Sequence, residues 1–240
     1  MKLLTCILFS LVTSACTKNP EMTEVPVPNQ DVIVQNPAST ASYLALGDSY
    51  TIGESVPRAS SFPFQLKNLL NNANKSIADP KIIATTGWTT DELQQAIVQA
   101  KITQKFDFVT LLIGVNNQYR NYPIDTYKKE FSELLQTAIA FANGDKSRVF
   151  VVSIPDWGVT PFGHQATKTP QTIAAEIDAF NLANREITLA AGVSYTDITP
   201  GSRKAETDLS LVAGDGLHPS AKMYADWANA LLPKVAAVLK

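Results

Sequence analysis

The sequence predicts one α/β domain, a three-layer α/β/α sandwich around a five-stranded parallel sheet. Three observations predict it. Five short apolar runs alternate with longer segments whose apolar residues recur at helical spacing. Strands that alternate with helices form parallel sheets, and right-handed crossovers place the helices on both faces. The chain has 240 residues, 45% hydrophobic and 18% charged, which suits one ordinary globular core. No internal repeat and no second domain is visible.

The elements follow in order. Residues 43–46 are an apolar run that ends at Gly47, and residues 62–70 read as a helix. Residues 81–85 are strand-like, with Gly87 closing the segment. Thr90-Asp91 resembles a helix start, followed by Leu93, Ile97 and Ala100 at helical spacing. Residues 108–113 are a β-branched, apolar run that ends at Gly114. Tyr127, Phe131, Leu134, Leu135 and Ala138 mark a helix face that stops near Asn143-Gly144. Residues 149–154 form a fourth buried-strand run, halted by Pro155. A loop with Trp157, Phe162 and His164 comes next. Ile173, Ile177, Phe180, Asn184 and Ile187 trace a long helix, residues 193–196 a last short strand, and Met223 to Leu239 a final helix. In such sheets ligands bind beyond the carboxyl ends of the strands. Gly47-Asp48-Ser49, Gly87 and Gly114-Val115-Asn116 each follow a strand-like run, so all three are expected at one edge.

The N-terminus has a different character. Lys2 precedes an apolar stretch, residues 3–12, then Thr13-Ser14-Ala15 and Cys16. The stretch is short for a bilayer span and matches the apolar part of a secretory signal. Small residues that end at a cysteine resemble a bacterial lipoprotein signal, with Thr13 standing where Leu is preferred. Residues 1–15 are therefore expected to be a signal peptide, and Cys16 the lipidated residue that ties the protein to a membrane. A plain signal peptide cut elsewhere, or an uncleaved anchor, is the alternative. Thr17 replaces the Asp that would resemble an inner-membrane retention signal, which points to the outer membrane, in the periplasm or at the cell surface. Residues 16–42, with Pro20, Pro26, Pro28 and Pro37, read as an extended tether. Within it, Val32-Ile33-Val34 could pack as a stray strand. Residues 43–240 are the domain. The only cysteines are Cys6 and Cys16, so the mature domain would have no thiol and no disulfide. The net charge is −2 and no Lys/Arg-rich run stands out, so neither a nucleic-acid footprint nor a polybasic membrane patch is present.

Two motifs carry chemistry. Ser49 is a candidate nucleophile if a base accepts its proton; otherwise it is a turn serine that caps the next helix. His218 is the available base, since the other histidine, His164, reads as a solvated loop residue or a pocket wall. Asp215 lies three residues before His218. That spacing lets its carboxylate fold back to the imidazole Nδ1 and leave Nε2 free for Ser49. A surface turn that opens a helix is the plainer reading of Asp215 to Pro219. A tetrahedral intermediate would also need donors for its oxyanion. The candidates are the backbone N–H of Ser49, the backbone N–H of Gly87 and the side-chain amide of Asn116, against a turn glycine and a self-capping loop residue. Trp157 and Phe162 are candidates for an acyl or sugar pocket, with hydrophobic packing as the alternative.

Taken in order, Gly47-Asp48-Ser49, Gly87, Gly114-Val115-Asn116 and Asp215-Gly216-Leu217-His218 resemble the SGNH (GDSL-type) hydrolase family over about residues 43–240. The resemblance implies a flavodoxin-like α/β/α fold and a Ser-His-Asp esterase with no metal and no other cofactor. Ser49 would be the nucleophile, His218 the base and Asp215 its orienter, with Ser49, Gly87 and Asn116 as the oxyanion hole. One departure is Asn117, where the family most often has Asp; only local hydrogen bonding is expected to change. No Gly-x-Ser-x-Gly elbow, P-loop, Gly-x-Gly-x-x-Gly or His-Glu-x-x-His motif competes. With two histidines and no mature cysteine, the sequence offers little for a transition metal.

The expected partner is an acyl ester, of a glycan or a lipid. O-deacetylation of glycans is the first reading. Lipase, lysophospholipase or thioesterase activity and acyl transfer to a sugar hydroxyl are rivals that use the same residues. A non-catalytic glycan-binding lipoprotein is the third class.

Overall fold

The computed structural model describes residues 40–239. The expectations for the signal peptide, Cys16, the tether up to residue 39 and Val32-Ile33-Val34 lie outside the described residues. Ala41 and Ser42 are tied to the domain ahead of Tyr43. Ala41 pairs with Ile77, and the Ser42 N–H and hydroxyl both donate to Asp107 Oδ2.

Five parallel strands form one sheet: β1 (Tyr43–Gly47), β2 (Lys81–Ala84), β3 (Phe108–Leu112), β4 (Val149–Val152) and β5 (Ser194–Thr196), in the order β2-β1-β3-β4-β5. All of β1, β3 and β4 is buried, as their largely apolar runs require. β2 and β5 are the edges, and both are more polar and only partly buried. Thr110, the hydroxyl inside β3, is satisfied by Tyr43 Oη at 2.8 Å.

The helices are α1 (Ser49–Ile52), α2 (Phe62–Asn72), α3 (Thr90–Ala100), α4 (Val115–Tyr119), α5 (Ile124–Phe141), α6 (Pro170–Ala190), α7 (Thr199–Ser202) and α8 (Ala221–Ala236). α2 packs on α8, while α3 packs on α5 and α5 on α6. Their starts are written locally. Thr89 and Glu92 form a capping box on α3, Thr169 caps α6 ahead of Pro170, and Ser220 caps α8. The apolar faces meet in one core in which Tyr127, Phe131, Tyr224 and Trp227 are almost fully buried.

This strand order has its switch point between β1 and β3, whose connections leave in opposite directions. Gly47 pairs with both Ala84 and Leu112, so the carboxyl ends of β1, β2 and β3 are level. The turns after these three strands therefore converge, as the sequence pattern predicts.

Candidate active site

Ser49 is the first residue of α1, immediately beyond β1. The turn that delivers it is tight. A Cβ on Gly47 would lie 2.1 Å from Thr51 Oγ1 and 2.4 Å from the Leu112 carbonyl oxygen, so only glycine fits. Asp48 caps α1, its Oδ1 accepting from the Tyr50 N–H at 3.0 Å. The Asp48 carboxyl is wholly buried, its Oδ2 has no hydrogen-bond partner, and burial pushes its pKa up to about 7.

A cavity of about 220 Å³ lies at this edge, and Ser49, Gly87, Asn116, Trp157, Phe162 and His218 all line it. His164 does not. It sits half-exposed on a short 3₁₀ turn with Nε2 3.4 Å from Glu206 Oε2, which is the solvated loop residue of the two sequence readings.

Asp215 and His218 share a loop pinched shut by a bridge between Val212 and Pro219 and by the Ala213 N–H, which donates to the His218 carbonyl at 2.7 Å. Asp215 Oδ1 accepts from the N–H groups of Leu217 and His218 at 2.9 and 3.0 Å. Its Oδ2 accepts from Ser55 Oγ at 2.6 Å and lies 2.6 Å from His218 Nδ1. Partial burial raises the Asp215 pKa, but the four hydrogen bonds together outweigh it and hold the carboxyl well below the usual range. An ionised carboxylate only accepts, so Nδ1 carries the ring hydrogen and Nε2 is left as an acceptor. The Tyr50 ring stands edge-on to the imidazole, 5.6 Å away between centroids.

Ser49 is 5% exposed and makes no side-chain hydrogen bond among the described residues, to His218 or to any other group. The two residues share the cavity without the contact that the sequence spacing suggests. Hydrogen bonds between nucleophile and base are often long without substrate and tighten when it binds.

The turns after β2 and β3 are laced together. Gly87 sits in the turn after β2 with φ +86°, a backbone that disfavours any side chain. One Asn116 amide hydrogen is donated to the Trp88 carbonyl at 3.0 Å, and the amide has a second hydrogen to offer. Asn117, the departure from the family pattern, is fully buried and does not line the cavity. Its Oδ1 accepts from the Thr90 N–H at 3.0 Å and its Nδ2 donates to Thr90 Oγ1 at 2.7 Å. Arg120 donates to the Gly87 carbonyl at 2.6 Å and to Glu92 Oε1 at 3.1 Å. α4 and its C-cap thus fasten the Gly87 turn through Asn116 and Arg120, and the start of α3 through Asn117. Sequence reasoning missed Arg120 and Ser55. Arg120 is the C-cap of α4, a helix of five residues that is too short to show a period, so no sequence signal marked it.

Trp157 is 4% exposed in the core and also lines the cavity. Phe162 stands at the rim, 40% exposed. Among the described residues no group of three or more His, Cys, Asp or Glu side chains is placed to hold a metal ion.

Residues 45–225 match the model of the GDSL-like lipase/acylhydrolase family. The chain belongs to this family, and it is an ester-hydrolysing enzyme with the SGNH-hydrolase fold. Several solved structures are similar. TesA is 15% identical with a TM-score of 0.64, covering 82% of this chain and 99% of its own. The psychrotrophic esterase EstA from Pseudoalteromonas sp. is 13% identical with a TM-score of 0.61, covering 82% and 97%. Axe2, an acetylxylan esterase from Geobacillus stearothermophilus, is 18% identical with a TM-score of 0.59, covering 81% and 94%. No curated protein matches the chain.

Proposed function

We propose that this protein hydrolyses carboxylic esters of short acyl groups through an acyl-enzyme on Ser49, with O-acetyl groups of glycans as the substrate class. One observation carries the reading. Ser49, His218, Gly87 and Asn116 line a single cavity at the β1/β3 switch point, with Asp215 bonded behind His218. Ser49 Oγ attacks the ester carbonyl carbon while His218 Nε2 takes its proton. The oxyanion is received by the N–H groups of Ser49 and Gly87 and by the free Asn116 amide hydrogen. The tetrahedral intermediate collapses as His218 gives the proton to the leaving alcohol, and the C–O bond to that alcohol breaks. Water then attacks the acyl-enzyme with the same proton transfers and releases the acid and free Ser49.

Cavity size supports the short acyl group. About 220 Å³ is below the roughly 300–1,000 Å³ usual for small-molecule sites, and a long chain needs more. The likeness to an acetylxylan esterase agrees with this choice. The sequence of residues 1–16 supports export and a lipid anchor on Cys16, which would hold the enzyme where extracytoplasmic polymers are met.

A series of p-nitrophenyl esters tests the reading. kcat/KM should be highest for acetyl and fall steadily to long chains; a maximum at eight carbons or more would replace it with a lipid substrate. In the same assay Asn116→Ala should lower kcat on acetyl esters by about 10²–10³. A loss confined to KM would remove Asn116 from the oxyanion hole.

A further inference from the structure

The cavity at Ser49 adjoins a second hollow of about 600 Å³. Tyr119, Trp157 and Phe162 line both, so they form a common wall. The far wall is polar: Asn121, Gln165, Thr167 and Lys168. The second hollow falls within the usual range for a small-molecule site, and the first does not. An ester larger than a short acyl group on a short alcohol has the second hollow beside it to receive its bulk.

The walls select the chemistry of that bulk. Tyr119 is 52% exposed and Phe162 40%, both large rings turned partly to solvent. The buried Trp157 holds them, edge-on to Tyr119 at 5.4 Å between centroids and tilted against Phe162 at 6.0 Å. Trp157 is itself fixed, since its Nε1 donates to Gln118 Oε1 at 2.8 Å and Gln118 Nε2 donates to Glu176 Oε2. Lys168 Nζ donates to the same Glu176 oxygen at 2.7 Å and to Asn121 Oδ1. Asn121 Nδ2 and the Thr167 hydroxyl make no hydrogen bond among the described residues, and Gln165 spends only its Nε2, on the Pro161 carbonyl. Rigid rings beside unspent amide and hydroxyl groups suit a pyranose, which offers C–H faces to the rings and hydroxyls to the amides. A hydrocarbon chain would leave the polar wall unpaired. An anion would find Lys168 already neutralised by Glu176.

We infer that this hollow is the subsite for a neutral sugar, the alcohol half of the ester. The inference rests on the proposed hydrolysis at Ser49, and the two fail differently. Three acetates are compared on the full protein: ethyl acetate, octyl acetate and methyl glucoside carrying one O-acetyl group. Wild type should prefer the glucoside to ethyl acetate. Tyr119→Ala and Gln165→Ala should each lower the glucoside-to-ethyl-acetate ratio of kcat/KM about tenfold, mainly through KM, the loss expected of a contact of ordinary strength. Equal rates on glucoside and ethyl acetate, or variants that leave the ratio unchanged, overturn the subsite and leave the esterase standing. A ratio loss seen with octyl acetate alone assigns the hollow to lipid and overturns it too. No hydrolysis of any acetate overturns both readings.

A separate observation concerns Ser55. Its backbone is left-handed, φ +64°, a conformation that a serine adopts only when something holds it. Its hydroxyl donates at 2.6 Å to Asp215 Oδ2, the same oxygen that faces His218 Nδ1. We propose that Ser55 is a positioning residue, aiming His218 through Asp215. Ser55→Gly relieves the backbone and removes the hydroxyl, and Ser55→Ala removes the hydroxyl alone. Both should lower kcat roughly three- to tenfold, the worth of one ordinary hydrogen bond, with KM little changed. Ser55→Gly should do so with a Tm no lower than wild type. A glycine variant that keeps wild-type kcat overturns the role.

Discussion

Replacing Ser49 by alanine is expected to leave a folded protein with almost no esterase activity. kcat on p-nitrophenyl acetate should fall roughly 10⁴–10⁶-fold, since loss of a serine nucleophile strands the base and leaves only oxyanion stabilisation and binding. The fold should be indifferent. Ser49 Oγ makes no hydrogen bond among the described residues, so its removal leaves no orphaned partner, and Cβ keeps the packing of α1 on β1. Tm should shift by no more than a surface substitution shifts it, within about 0.5 kcal/mol of stability. Labelling by a fluorophosphonate should vanish together with activity. A variant that hydrolyses the ester at the wild-type rate would show that Ser49 does not carry the acyl group.

The separation of activity from stability mirrors what the sequence does and does not reveal. Central strands are legible because burial on both faces makes them almost wholly apolar; residues 149–152 are Val-Phe-Val-Val. Capped helices are legible because Thr89 and Glu92, or Thr169 and Pro170, write the start beside the apolar repeat. α4 and α7 are invisible for the converse reason. Five and four residues are too few for a period, and Thr-Pro-Gly-Ser reads as a loop. The same contrast holds at the site. Gly47, Gly87 and Asn116 follow strands, and strand order alone brings them together. Asp215 and His218 are neighbours on one loop. Ser55 reaches Asp215 across 160 residues of chain, and no local pattern encodes that meeting. The second hollow is hidden for a related reason. Asn121, Trp157 and Lys168 come from three separate segments that only the network through Gln118 and Glu176 unites.

Asp215→Asn is expected to lower kcat by roughly 10³–10⁴ while preserving the loop, and the cause is the position of one hydrogen. Asp215 presents one oxygen to two backbone N–H groups and the other to Ser55 and His218. An asparagine must keep its oxygen toward Leu217 and His218, because its NH₂ there would face two donors. The NH₂ then faces His218 Nδ1, which must become an acceptor, and the ring hydrogen moves to Nε2. A protonated Nε2 cannot take the Ser49 proton, so every turnover waits on a rare tautomer. Stability supplies an independent check. The folded Asp215 pKa is depressed, so its contribution is fully present above the unfolded value of about 4 and is lost as pH falls below that toward the folded value. The Tm gap between wild type and Asp215→Asn should therefore be widest near neutrality and close as pH is lowered below about 4. A variant with kcat within threefold of wild type would remove Asp215 from the mechanism. A gap that widened in acid would show that its carboxylate is not held ionised by Ser55, His218 and the backbone.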